Sequence, residues 1–182
     1  EYAAFYVAGV LSLDDAILLV SYRSLGMATL PEDGGALEVA ADATQVANAI
    51  AGGGHSVHIS TKSTPRTTLV TGKKESVEAF AKTLKEQNVP RRMLPFTVVF
   101  QSPDVRPCLC LLAEKVGEVA FAPPTLPIIG SITGEALGNV DAAYCLAQAC
   151  ETVRLVDTFQ RMHDMGISTF VEMSTNPSFI TA

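Results

Sequence analysis

Ser56-Val57-His58-Ile59-Ser60-Thr61 and Thr67-Thr68-Leu69-Val70-Thr71 stand on either side of Thr64-Pro65-Arg66. Both runs are rich in β-branched residues, which favour pleated, half-buried strands, and the proline marks a turn between them. Working outward, Ala36-Ala40 reads as a strand, Ala43-Ala51 as a helix and Gly52-Gly53-Gly54 as the turn that ends it. On the other side Lys74-Gln87 reads as a helix, with Val77, Phe80, Ala81 and Leu84 on one face. Arg91-Val99 reads as the last strand. The order is strand, helix, strand, strand, helix, strand.

That order is the ferredoxin-like pattern, a small sheet with two helices on one face. On both sides of it the rhythm is helical. Residues 1–10 and 13–29 read as two helices meeting at Gly9-Ser12. Ser12 can cap the second helix, with Asp14 and Asp15 in its first turn. Leu13, Ala16, Ile17, Val20, Ser24 and Met27 mark its expected apolar face. Beyond Pro103, Val105-Val116, Asp141-Cys150 and Val153-Met165 read as helices. Ile128-Ile132 and Thr169-Met173 read as short strands, and Pro123-Pro124-Thr125-Leu126-Pro127 as a rigid connector. The fold class is therefore α/β. A small lobe over 35–100 is inserted into a larger lobe made of 1–34 and 101–182.

The chain has 182 residues, 48% hydrophobic and 18% charged, with a net charge of −6. So little charge implies that some apolar area meets another domain or segment. The acidic balance argues against a nucleic-acid partner, since the largest basic clusters are the pairs Lys73-Lys74 and Arg91-Arg92. No apolar run reaches the roughly 18–20 residues of a membrane span. Cys108, Cys110, Cys145 and Cys150 fall in apolar helical stretches and read as buried free thiols, which suits a reducing, cytoplasmic setting.

Several stretches carry a family likeness. Glu1-Tyr2-Ala3-Ala4 resembles the start of the helix that follows the nucleophile turn, Gly-His-Ser-x-Gly, of malonyl/acyl-CoA:acyl-carrier-protein transacylases, the acyltransferase domains of fatty acid and polyketide synthases. Leu19-Val20-Ser21-Tyr22-Arg23 is similar to the helix of that family whose arginine pairs with the free carboxylate of a malonyl group. Ser63-Thr64-Pro65 resembles its Asn-Ser-Pro turn, Phe100-Gln101-Ser102-Pro103 its Phe-His-Ser-Pro motif, and Phe170-Val171-Glu172-Met173-Ser174-Thr175-Asn176-Pro177 its final strand and loop.

The resemblance implies that the larger lobe is α/β-hydrolase-like and incomplete here, with the nucleophile upstream of residue 1. It implies acyl-CoA as donor and the phosphopantetheine thiol of an acyl carrier protein as acceptor, with neighbouring synthase domains as partners and no bound cofactor. Arg23 would hold a carboxylate, because a guanidinium fork binds one bidentately. Phe100 would narrow the pocket in favour of malonyl or another slim acyl group, and Ser63 and Asn176 would line the site.

Gln101 departs from the pattern. It takes the position of the histidine that serves as general base, and a carboxamide cannot accept and return a proton near neutral pH. Losing such a group can lower the rate by several orders of magnitude. Ser63 stands in place of asparagine, and Ser174-Thr175 in place of Gly-Pro. His55, His58 and His163 match no motif and read as solvated or core residues. Two alternatives to an active transferase stay open: an impaired member of the family kept as a docking or structural domain, and a small-molecule regulatory module with its site within 36–99.

Overall fold

A computed structural model describes residues 1–173. Its elements run α1 (Tyr2–Val7), α2 (Leu13–Met27), β1 (Gly34–Val39), α3 (Ala43–Gly53), β2 (Val57–Thr64), β3 (Thr67–Lys73), α4 (Lys74–Glu86) and β4 (Arg91–Leu94). A 3-10 helix (Pro103–Leu109), α5 (Cys110–Val116), α6 (Ala142–Cys150) and α7 (Leu155–Asp164) follow.

The four strands form one antiparallel sheet in the order β2-β3-β1-β4. Leu37, Val39 and Val70 alternate onto one face, where Val46 of α3 and Val77, Phe80 and Leu84 of α4 cover them. The other face carries Thr71, whose buried hydroxyl donates to the Phe100 carbonyl at 2.9 Å. A second core packs Phe5, Val10 and Leu19 against Val105, Leu109, Leu112, Cys145 and Ala149. The connector 123–127 is pinned to it, for Thr125 donates from both its amide and its hydroxyl to the Ala8 carbonyl, at 2.8 and 2.9 Å.

Backbone hydrogen bonds join the sheet to the segment that follows α6. Val153 donates to Ser60 and accepts from Lys62, each at 2.8 Å, in a parallel bridge between Thr61 and Val153. Thr152 adds a hydroxyl bond to the Ile59 carbonyl at 2.6 Å.

Local chemistry explains where elements stop. Ser12 caps α2, its Oγ accepting from the Asp15 amide at 3.1 Å and donating to the Asp15 carboxylate at 2.6 Å. α3 ends on Gly54 at φ 61, a left-handed cap suited to glycine.

Several expectations are corrected. The last strand ends at Leu94, not Val99, because Pro95 has no N–H to offer a ladder. Ser63 and Thr64 belong to β2, and the turn is Pro65-Arg66 alone. Helix 105–116 is split into a 3-10 and an α segment, with Pro107 inside the first removing a helical donor. Ile128-Ile132 contributes a single bridge, Ile129 to Ala136, in place of a strand, and 169–173 joins no ladder. The predicted apolar face of α2 is mostly on the surface. Leu13, Ile17 and Val20 are exposed, while Ala16, Leu19 and Gly26 are buried. Of the four free thiols only Cys145 and Cys150 are buried; Cys110 is exposed and Cys108 half-buried.

Candidate active site

Two clusters of polar side chains meet along α6 and the segment that follows it. The first gathers around Glu1. Its Oε1 accepts from the Ser131 amide at 2.6 Å and from the Tyr144 hydroxyl at 3.0 Å. Burial, and then the Glu1 charge, raise the Tyr144 hydroxyl well above the ordinary tyrosine range. Cys145 beside it is pushed up to about 12, by burial first and then by Glu1 and Asp141.

Arg23 reaches the same cluster from α2. Its guanidinium donates to the side-chain carbonyl of Gln148 on α6, a residue only 8% exposed. The guanidinium carbon lies 6.0 Å from the centre of the Tyr2 ring. Arg23 has no carboxylate partner among the described residues. It lines a shallow hollow with Glu1, Tyr2, Val20, Ser24 and Met27. A cation held by a neutral amide keeps its charge available to an anion, because the amide orients it without neutralising it.

The second cluster lines a cleft of about 560 Å³ between β2 and the α6–α7 link, with His58, Lys62, Gln101, Ile132, Glu151 and Arg154 on its walls. Gln101 sits at φ 46, in the left-handed region that few side chains adopt without strain. Its carbonyl oxygen is 3.5 Å from the Thr61 hydroxyl, a long contact. The next residue, Ser102, is buried and caps the 3-10 helix by accepting from the Asp104 amide at 3.0 Å. That cap turns Asp104 toward β2, where its carboxylate lies 3.6 Å from His58 Nε2.

The two clusters are neighbours through the chain. Ser131, which holds Glu1, precedes Ile132 on the cleft wall, and Gln148, which holds Arg23, lies two residues before Cys150 on the same wall.

The remaining expected site residues are placed apart. Phe100 packs edge-on against Phe96, ring centres 5.2 Å apart, and is not part of the cleft wall. Ser63 lines a separate, more apolar hollow of about 420 Å³ with Phe159, His163 and Phe170. Asn176, with Ser174, Thr175 and Pro177, lies outside the described residues. His55 is satisfied by Thr83, 2.9 Å away, and packs on Phe80. The sequence missed Gln148 as the arginine's partner, and it missed His58 on the cleft wall with Asp104 beside it. A 125-residue separation in the first pair leaves no local pattern to read. No group of three metal-ligating side chains, and no helix long and apolar enough to cross a membrane, occurs among the described residues.

Comparison with known proteins gives the context. The acyl transferase domain family matches residues 1–182. A PKS-NRPS hybrid synthetase of Aspergillus candidus is 31% identical over 95% of this chain, and a phenolphthiocerol synthesis polyketide synthase of Mycobacterium marinum 30% identical over 95%. The chain spans only 7% and 8% of those two proteins. Among solved structures, the acyltransferase domain from the second module of the salinomycin polyketide synthase superimposes with a TM-score of 0.87 at 31% identity, over 91% of this chain and 39% of its own.

Proposed function

Because this chain belongs to the acyl transferase domain family, we propose that it forms part of a synthase acyltransferase that moves a malonyl or other slim acyl group from coenzyme A to the phosphopantetheine thiol of an acyl carrier protein. The observation that carries this reading is Arg23, a half-buried cation oriented by the neutral Gln148 and left without a carboxylate partner among the described residues. Such a cation suits the free carboxylate of a dicarboxylic acyl group.

On this reading residues 1–34 and 101–182 form an α/β-hydrolase-like lobe, and 35–100 a ferredoxin-like lobe. The βαββαβ order and the β2-β3-β1-β4 sheet support the second assignment. In the family pattern the nucleophile is a serine, in a turn that would precede Glu1. Glu1 is held beside Ser131, next to the cleft wall, which would aim that turn at the cleft. The serine attacks the thioester carbonyl, forms an acyl-enzyme and releases coenzyme A, and the carrier thiol then takes the acyl group. Phe100 restricts the acyl chain, with Ser63 and Asn176 further out in the site. The domain works in the cytoplasm beside other synthase domains and needs no bound cofactor.

Gln101 favours a second reading, in which the domain has lost turnover and serves for docking. One experiment separates the two. The full-length chain, including the turn before Glu1, is incubated with malonyl-CoA and acetyl-CoA and its intact mass is read. The transferase reading expects a stoichiometric acyl adduct, and Arg23→Ala removes the malonyl adduct alone. The docking reading expects no adduct with either thioester, and recovery with Gln101→His.

A further inference from the structure

The cleft that holds Gln101 also holds an imidazole with an acidic neighbour. His58 lies opposite Thr71 in the β2–β3 ladder, so their side chains share a sheet face. Thr71 anchors that face to the segment carrying Gln101 through its bond to the Phe100 carbonyl. Asp104 arrives from the 3-10 helix, with its carboxylate 3.6 Å from His58 Nε2. The other charged groups on the cleft wall are Lys62 from β2 and Glu151 and Arg154 from the α6–α7 link. Lys62 is drawn toward Asp157, 4.0 Å away, and Arg154 bonds Asp157 at 2.6 Å, so both cations have a partner other than Asp104.

We infer that His58 is the general base of this domain, with Asp104 as its positioning residue. The pair would supply from β2 the proton transfer that a carboxamide at position 101 cannot perform. The inference rests on the transferase reading above.

The step balances without a further reagent. As the serine oxygen bonds to the thioester carbonyl, its proton passes to His58 Nδ1, and Nε2–H stays directed at Asp104. When the tetrahedral adduct collapses, the carbon–sulfur bond breaks and the same proton leaves with coenzyme A as its thiol. Transfer to the carrier runs the sequence in reverse, with the carrier thiol giving the proton. The Asp104 carboxylate favours the imidazolium formed between the two halves. Gln101, strained at φ 46 and facing the same cleft, is left to orient the hydroxyl or the thioester by hydrogen bonding.

The test measures the rate of acyl-adduct formation against pH in the full-length chain. For the wild type we expect an acidic limb, as protonation of the base removes its activity. His58→Gln should lower the rate by about 100-fold or more and abolish that limb. Asp104→Asn should lower the rate, though less than His58→Gln does, and move the limb to lower pH, because the imidazolium has lost its counter-charge. Gln101→His in the His58→Gln background should restore turnover. A His58→Gln rate within about twofold of wild type, with the limb intact, overturns the dyad and leaves the transferase reading standing. An unshifted limb in Asp104→Asn removes Asp104 from the role, even if His58→Gln does not fold. No adduct in the wild type with any acyl-CoA overturns the transferase reading and the dyad together.

Discussion

Arg23 and Gln148 show how a single neutral side chain can keep a charge ready for use. Gln148→Glu would give the guanidinium a permanent counter-charge at nearly the same place. We expect malonyl transfer to fall at least tenfold, about 1.4 kcal/mol in the transition state, with acetyl transfer little changed; paired rates with the two thioesters check this. The thiols divide by burial. Brief native alkylation should label Cys110 and spare Cys145, as peptide mass mapping would read. Cys145 also makes stability pH-dependent. Its folded-state value of about 12 stands above the ordinary 9.0, so between those limits the unfolded chain has lost a proton that the native chain keeps. Stability is full below pH 9 and falls as pH rises toward 12, and the urea midpoint should be lower at pH 10.5 than at pH 8. At this scale the sequence points to single positions more readily than to pairs. Positions 23 and 101 announce themselves through the motifs around them. The pairs Arg23–Gln148 and His58–Asp104 do not, because each is made by folding and neither partner's neighbours hint at the other.

Among the elements, α2 shows both what a hydropathy pattern reveals and where it misleads. Its start is legible, since Ser12 and Asp15 exchange hydrogen bonds as their spacing suggests. Ser12→Ala should cost about 1 kcal/mol, measured by urea denaturation. Its buried side is not legible, because Leu13, Ile17 and Val20 form the more conspicuous stripe and Gly26 carries no hydropathy signal. Yet Gly26 is where the helix packs most closely, as an added Cβ would come within 2.3 Å of the Cys108 carbonyl. Gly26→Ala should therefore destabilise by about 2 kcal/mol. Gly52, near the end of α3, has nothing within 4 Å of an added Cβ. Gly52→Ala should stabilise by about 0.5–1 kcal/mol, so thermal melts of the two variants move in opposite directions. The sheet was easier to read than the helices around it. Its strands alternate or run apolar over short, turn-bounded stretches, whereas the segment 117–141 is held by scattered backbone bonds that follow no period. Proline marks the ends of elements more faithfully than hydropathy does, at Pro65 and Pro95.

Across the whole molecule, two hydrophobic cores share a boundary where the cleft opens, and residues 152–154 bind one side of it to the other. Position 153 is therefore a point where a small change should have a wide effect. Val153→Pro deletes the N–H given to Ser60 at 2.8 Å, at a residue that belongs to neither of the two hydrophobic clusters. Hydrogen exchange should quicken in β2 and near the cleft more than in α4, and an unchanged β2 would show that the junction does not depend on that bond. The stitch has another effect. A sheet's outer strands offer unpaired amides and carbonyls to any passing chain. Here the β2 side is occupied by Val153, while β4 is four residues long, begins with Arg91-Arg92 and meets Pro95 one residue past its end. One margin is thus held near its middle by the protein's own backbone, and the other is short, charged and interrupted. Among the described residues a second copy therefore finds only short lengths of ribbon to extend, an arrangement that works against edge-to-edge polymerisation where many identical domains are crowded together.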